Sequence, residues 1–204
     1  MTALSPKRLS AALDPKTNRL RLAATLWHPT PWLRVAATSN PSTPRAAKHT
    51  ALRQPYLAPH ILRGDRHIPV EVLRKYAQRK ATTPSTLSAI VTHPNADDSV
   101  RLQVVKHWRS NLSHMSAVVV HTDSETMLTV AWERAVKLIE AGKEKDAHCV
   151  EFHRRTVQND ACPTAILHHY AHTSTDRQVL EGVAQHVHAI EGDRVVAALR
   201  CVDR

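Results

Sequence analysis

Nine of the twelve prolines lie at or before Pro69, and nearly all of the net charge of +10 lies in the same third of the chain. Residues 1–64 carry ten bases, Lys7, Arg8, Lys16, Arg19, Arg21, Arg34, Arg45, Lys48, Arg53 and Arg63, against one acid, Asp14. The other 140 residues hold 18 bases and 17 acids and are close to neutral. A proline-rich, charged segment has little apolar surface with which to offset the entropy of ordering it. Residues 1–68 are therefore expected to form a long, extended basic arm, and residues 69–204 a folded domain of a size that buries a core.

The composition of that domain favours helices. Only four glycines are present, Gly64, Gly142, Gly182 and Gly192, and aromatic residues make up 4% of the chain. Sandwiches and barrels need many turn residues at positive φ, whereas Ala, Leu, Arg and their like favour helices. The expected fold class is all-α, a small helical bundle or short α-hairpin solenoid behind the arm. Pro69 opens the first helix, with Val70, Leu73 and Ala77 on one face and Arg74, Lys75, Arg79 and Lys80 on the other. A second helix after Thr83-Pro84 ends near His93-Pro94, because the residue before proline is pushed out of helical geometry. Asn95 or Asp97 caps the next, which runs on past Val100 and Val104 or breaks near Ser113. Residues 117–120 are β-branched enough to suit a short buried strand. Thr122 with Glu125 reads as a capping box before a helix over 124–141, closed by Gly142. A return helix over 143–158 makes an antiparallel hairpin, and shorter helices follow as far as Cys201. A 34-residue repeat leaves only a weak match between residues 137–142 and 187–192.

Several chemistries are excluded by spacing. The glycines stand at least ten residues apart, which rules out a P-loop, a dinucleotide fingerprint and a G-x-S-x-G elbow, and H-E-x-x-H is absent. No apolar run approaches the ~18 residues of a membrane span. Three cysteines without a C-x-x-C pair suit a reducing compartment. Cys162 and Cys201 read as small core residues, and Cys149, although next to His148, points about 100° away from it on a helix. Among fifteen histidines, His148, His153, His168 and His172 lie on neighbouring helices as metal candidates. Their spacing fits no known zinc finger, and histidine is frequent throughout, so no metal, cofactor, small-molecule substrate or enzymatic activity is expected.

The spaced bases are suited to phosphates. Lys7, Arg8, Arg19, Arg21, Arg34, Arg45, Lys48, Arg53, Arg63 and Arg66, continued by Arg74, Lys75, Arg79 and Lys80, are expected to bind RNA through charge neutralisation. In the stretch Trp27-His28-Pro29-Thr30-Pro31-Trp32, prolines hold two large rings out at low entropic cost, so Trp27 and Trp32, with Tyr56, are expected to anchor protein neighbours. The acid-poor N-terminus, rich in Arg, Ser, Thr and Ala, has the composition of a mitochondrial presequence and implies a matrix location, with 1–68 a possible uncleaved targeting segment. On this acid-poor segment, the Pro/Arg/Lys arm through Arg66 and the helical remainder, the chain resembles the lineage-specific ribosomal proteins of protist mitochondria. The resemblance implies a structural subunit whose arm contacts rRNA and neighbouring subunits. The alternative is an accessory subunit of a respiratory-chain or ATP-synthase complex, with the arm wrapped around protein.

Overall fold

The computed structural model describes residues 6–142 and 146–202. Among them the chain is all-helical. The helices are α1 (Pro6–Leu13), α2 (Arg19–Thr25), α3 (Pro31–Ser39), α4 (Arg45–Ala51), α5 (Ala58–Gly64), α6 (Val70–Gln78) and α7 (Pro84–Val91). They continue with α8 (Asp98–Lys106), α9 (Leu112–His121), α10 (Glu125–Glu140), α11 (Asp146–Val157), α12 (Thr164–Thr173), α13 (Arg177–Gln185) and α14 (Glu191–Val202). None is long and apolar enough to cross a membrane.

The extended arm is therefore replaced by five helices, α1 to α5. The prolines that suggested extended chain serve instead as helix punctuation. Pro31 occupies the first helical turn of α3, Pro59 that of α5 and Pro84 that of α7, while Pro44, Pro69 and Pro163 are the residues from which α4, α6 and α12 start. Proline's fixed φ and missing N–H cost nothing at that point. The segment also buries more than its charge suggested. Leu22, Leu26, Leu52, Leu57, Ile61, Leu62 and Ile68 are all buried, each contributing roughly 1.5–3 kcal/mol of apolar transfer. Packing continues across Pro69, since α3 lies on α5, α5 lies on α7, and one apolar cluster extends from Leu26 to Phe152.

The helices alternate between two rows, as in a solenoid of α-hairpins. The hairpins are α2–α3, α4–α5, α6–α7, α8–α9, α10–α11 and α12–α13, and α14 follows in the first row. In the second row α1, α3, α5, α7, α9, α11 and α13 each pack on the next, and in the first row α6 packs on α8, α8 on α10, and α12 on α14. The first helices start at residues 19, 45, 70, 98, 125, 164 and 191. Apart from the longer α10–α11 unit, the steps lie between 25 and 28 residues, shorter than the 34-residue period tested.

Helices of seven to nine residues are marginal alone, so each depends on its stacked neighbours. Side chains in the turns repeat that stacking as hydrogen bonds between positions about one unit apart. Turns joining the two helices of a hairpin form one edge, here the upper rim. There Gln54 Nε2 donates to the Leu26 carbonyl (3.4 Å), His107 Nε2 to that of Arg79 (3.0 Å) and Trp108 Nε1 to that of Lys80 (3.2 Å). Turns between hairpins form the lower rim. There Asn40 Nδ2 donates to the Ala12 carbonyl, His93 Nε2 to that of Asp65, and His186 Nε2 to that of Asn159, at 2.9–3.0 Å. His93, His107 and His186 each also accept a backbone N–H two residues on through Nδ1. Much of the histidine content is thus turn architecture.

The elements from Pro69 onward follow the expected order, with three differences. Residues 117–120 continue α9 as a helix rather than a strand, and the long segment after Asp97 breaks at residues 107–111. The cap of α10 is Ser124, which accepts from Met127, while Thr122 instead bonds Asp98 Oδ1. Gly142, at φ 62°, ends α10 as expected, and residues 143–145 of the expected return helix lie outside the described residues.

A second apolar cluster, built on α12, α13 and α14, takes over at Val157, and Trp132 packs against both. At this junction Tyr170 accepts from Trp132 Nε1 (3.0 Å) and donates to His153 Nδ1 (2.7 Å). Burial, followed by the neighbouring His169, lowers the pKa of His153 below its ordinary 6.5. A histidine shifted downward binds fewer protons in the folded state, so its contribution is present above pH ~6.5 and is lost as pH falls through the lowered value. Chemical denaturation is expected to show the wild type losing stability as pH falls below about 6.5, with a flatter dependence in His153→Gln.

Gly182, on α13, lies directly against Val157 of α11. A Cβ there would lie 2.6 Å from Val157 Cγ2, so Gly182→Ala is expected to destabilise by about 1–3 kcal/mol, and Val157→Ala in the same chain to recover part of that loss.

Candidate nucleic-acid interface

The two rims differ in charge. Residues 6–121 contain five acids, Asp14, Asp65, Glu71, Asp97 and Asp98, and all five sit at the lower rim, in its turns or in the first turn of the helices rising from it. The four upper turns at residues 26–30, 52–57, 79–83 and 107–111 contain none, and hold Arg53, Arg79, Lys80 and Arg109, with Arg34 one turn into α3. Short helices place every turn at an edge, so a charge pattern tied to turns becomes a stripe.

The electrostatic partners follow the same division. At the lower rim Arg74 lies 3.5 Å from Asp97, Arg101 3.2 Å from Asp98, and His49 4.0 Å from Asp65. Among the described residues no salt bridge engages Arg34, Arg53, Arg79, Lys80 or Arg109. Three of them lie over aromatic faces: Arg34 over Tyr56 at 4.3 Å, Arg79 over Tyr76 at 4.4 Å and Arg109 over Trp108 at 4.6 Å. A guanidinium on a ring keeps its charge while its plane is held in one orientation.

The upper rim also carries most of the exposed rings of the chain. Trp27 is 55% exposed, Trp32 67% and Trp108 64%, and Tyr56 is also exposed. Burying such rings would be favourable, so their display beside unpaired bases is a surface suited to stacking. A shallow recess of about 80 Å³ between Arg53, Pro55, Tyr76 and Arg79 links two successive turns. The stripe ends toward the C-terminus, where Asp176 in the α12–α13 turn is held by Arg154 at 2.7 Å. That pairing, through the Arg154 hydrogen bond first, lowers the Asp176 pKa.

The structure sorts the residues singled out by sequence. Trp27, Trp32, Arg34, Arg53, Tyr56, Arg79 and Lys80 converge on the upper rim, with Lys75 in the last turn of α6 below it. Lys7 and Arg8 lie at the start of α1, and Arg8 shares an open cleft of about 350 Å³ with Arg21 and His28. Arg19, Arg45, Arg63 and Arg66 lie on the lower rim, and Arg74 is engaged there by Asp97 and Ser99. Lys48 is buried beside Asp65, and desolvation lowers its pKa, which removes it from any phosphate-facing set. Trp108, Arg109 and Tyr76 were not singled out. Their signal is the unit length, since Trp108 stands 28 residues after Lys80 and repeats its place.

The cysteines are free, and burial pushes the Cys162 thiol up to about 12, as befits an inert core residue. Of the metal candidates, His153 is committed to Tyr170 and His148 is exposed on α11, while His168 and His172 lie together on α12. No family model, curated protein or solved structure matches the chain.

Proposed function

We propose that the protein is a structural, RNA-binding helical-repeat subunit of a mitochondrial ribonucleoprotein particle, holding single-stranded RNA along its upper rim. The observation that carries this reading is the run of four acid-free upper turns, with five bases outside any salt bridge among the described residues and four exposed aromatic side chains. Bases track a phosphate backbone, and rings offer stacking platforms to unpaired bases. Four turns at a helix spacing of ~9 Å present about 30 Å of such surface, enough for a short run of nucleotides. The matrix location rests on the acid-poor N-terminal composition. The role assigned is binding rather than catalysis, with rRNA and neighbouring subunits as partners.

The test is fluorescence anisotropy of the full chain with a labelled single-stranded RNA and its duplex form, over a salt series. The expected result is tighter binding of the single strand and a log–log salt slope of about −0.7 per phosphate neutralised, near −3 to −4 in total. A flat salt response would favour a second reading, an accessory subunit of a large protein complex. One observation supports that reading: α14 leaves Val195, Leu199 and Val202 exposed.

A further inference from the structure

The C-terminal hairpins hold a group of side chains that the RNA reading does not use. His168 and His172 stand one turn apart on α12, and Asp193, in the first turn of α14, faces both of them. His168 Nδ1 lies 2.9 Å and His172 Nε2 3.4 Å from Asp193 Oδ1, and the three potential ligand atoms all fall within 4.8 Å of one another. Asp193 is 2% exposed, and its other oxygen, Oδ2, is buried without a hydrogen-bond partner. Its ion-pair partners among the described residues are the two imidazoles alone. A carboxylate kept from water with one oxygen unsatisfied is costly unless a cation completes it.

We propose that His168, His172 and Asp193 form a binding site for a zinc-type divalent transition-metal ion. Two imidazoles and one carboxylate are borderline ligands that suit zinc, cobalt or nickel, whereas magnesium and calcium prefer oxygen throughout. Zinc arms of ~2.0–2.1 Å in tetrahedral array set ligand atoms about 3.3 Å apart, close to the two separations to Asp193. On binding, each imidazole presents its bare nitrogen and carries its single hydrogen on the other, so no redox step or group transfer is involved. The ion replaces the hydrogen bonds to Oδ1 and neutralises the buried carboxylate. Both imidazoles are about half exposed, which leaves the remaining coordination positions open to solvent and gives the ion a way in. Bridging α12 to α14, it ties together two stacked helices of the first row.

The test uses the full chain, stripped with chelator and dialysed against zinc, with metal content read by elemental analysis and affinity by competition with a chelating dye. One zinc per chain is expected, together with a rise in Tm on the order of 5–10 °C at 100-fold excess over Kd. His168→Gln/His172→Gln, at surface positions that keep the fold, is expected to weaken binding by more than the roughly 10–100-fold that loss of an outer-shell partner costs, and to abolish the Tm rise. Asp193→Asn, nearly isosteric, is expected to do the same. Cobalt should give a spectrum without thiolate charge transfer, which separates this site from Cys149 and Cys201. Failure of the wild type to retain zinc, or binding that survives in the double histidine variant, overturns the proposal.

Discussion

Replacing Trp27, Trp32 and Trp108 together by alanine is expected to weaken single-stranded RNA binding by at least about 100-fold while leaving the salt slope unchanged. Each ring stacked on a base contributes roughly 1–3 kcal/mol, and stacking releases no counterions. The rings are largely exposed, so their removal costs the fold little beyond the Trp108–Lys80 hydrogen bond. The complementary change, Arg53→Ala with Arg79→Ala and Arg109→Ala, is expected to make the slope shallower by about 2, at ~0.7 per lost contact. Two variants that weaken binding with different salt signatures separate stacking from charge, and anisotropy titrations at 50 and 200 mM salt read both.

Phe152→Ala is expected to destabilise the protein by about 3–5 kcal/mol and to split its unfolding into two transitions. Phe152 is the largest fully buried side chain, on α11 where it packs on α9, and it ends the apolar cluster that begins at Leu26. Beyond it the α12–α14 cluster is joined through Trp132, the Tyr170–His153 contact and the packing of α13 on α11. A void there removes transfer free energy and leaves a cavity. Solenoid units couple only to their neighbours, so weakening one interface separates the stability of the two sides. Calorimetry of the variant should resolve a lower-melting segment, and a single transition shifted by less than a degree would contradict this reading of the junction.

How far the fold was legible depended on helix length. The body after Pro69 could be read because α10 runs for sixteen residues, long enough for Leu128, Ala131, Ala135 and Leu138 to trace a stripe. In α2, α4 and α5, seven residues show fewer than two turns, and the pattern of Leu22, Leu52, Ile61 and Leu62 is hidden among bases. Prolines were seen there but assigned to extended chain, when their spacing marks helix starts. The site was half legible: Trp27, Trp32, Tyr56, Arg53 and Arg79 were identified as residues, but their common edge required the unit length. Asp193 escaped for the same reason, lying 25 residues after His168, one unit away rather than one helical turn.

The proposed RNA surface is set by position on the solenoid rather than by total charge. Two charge-reversed variants of equal net charge test it directly: Arg53, Arg79, Lys80 and Arg109 each changed to Glu on the upper rim, and Arg19, Arg45, Arg63 and Arg66 each changed to Glu on the lower rim. Measured by anisotropy on the same single-stranded RNA at the same salt, the upper-rim variant is expected to lose binding, and the lower-rim variant to stay within about threefold of wild type, since counterion release needs direct phosphate contact. Equal loss in both variants, or greater loss in the lower-rim one, would contradict it.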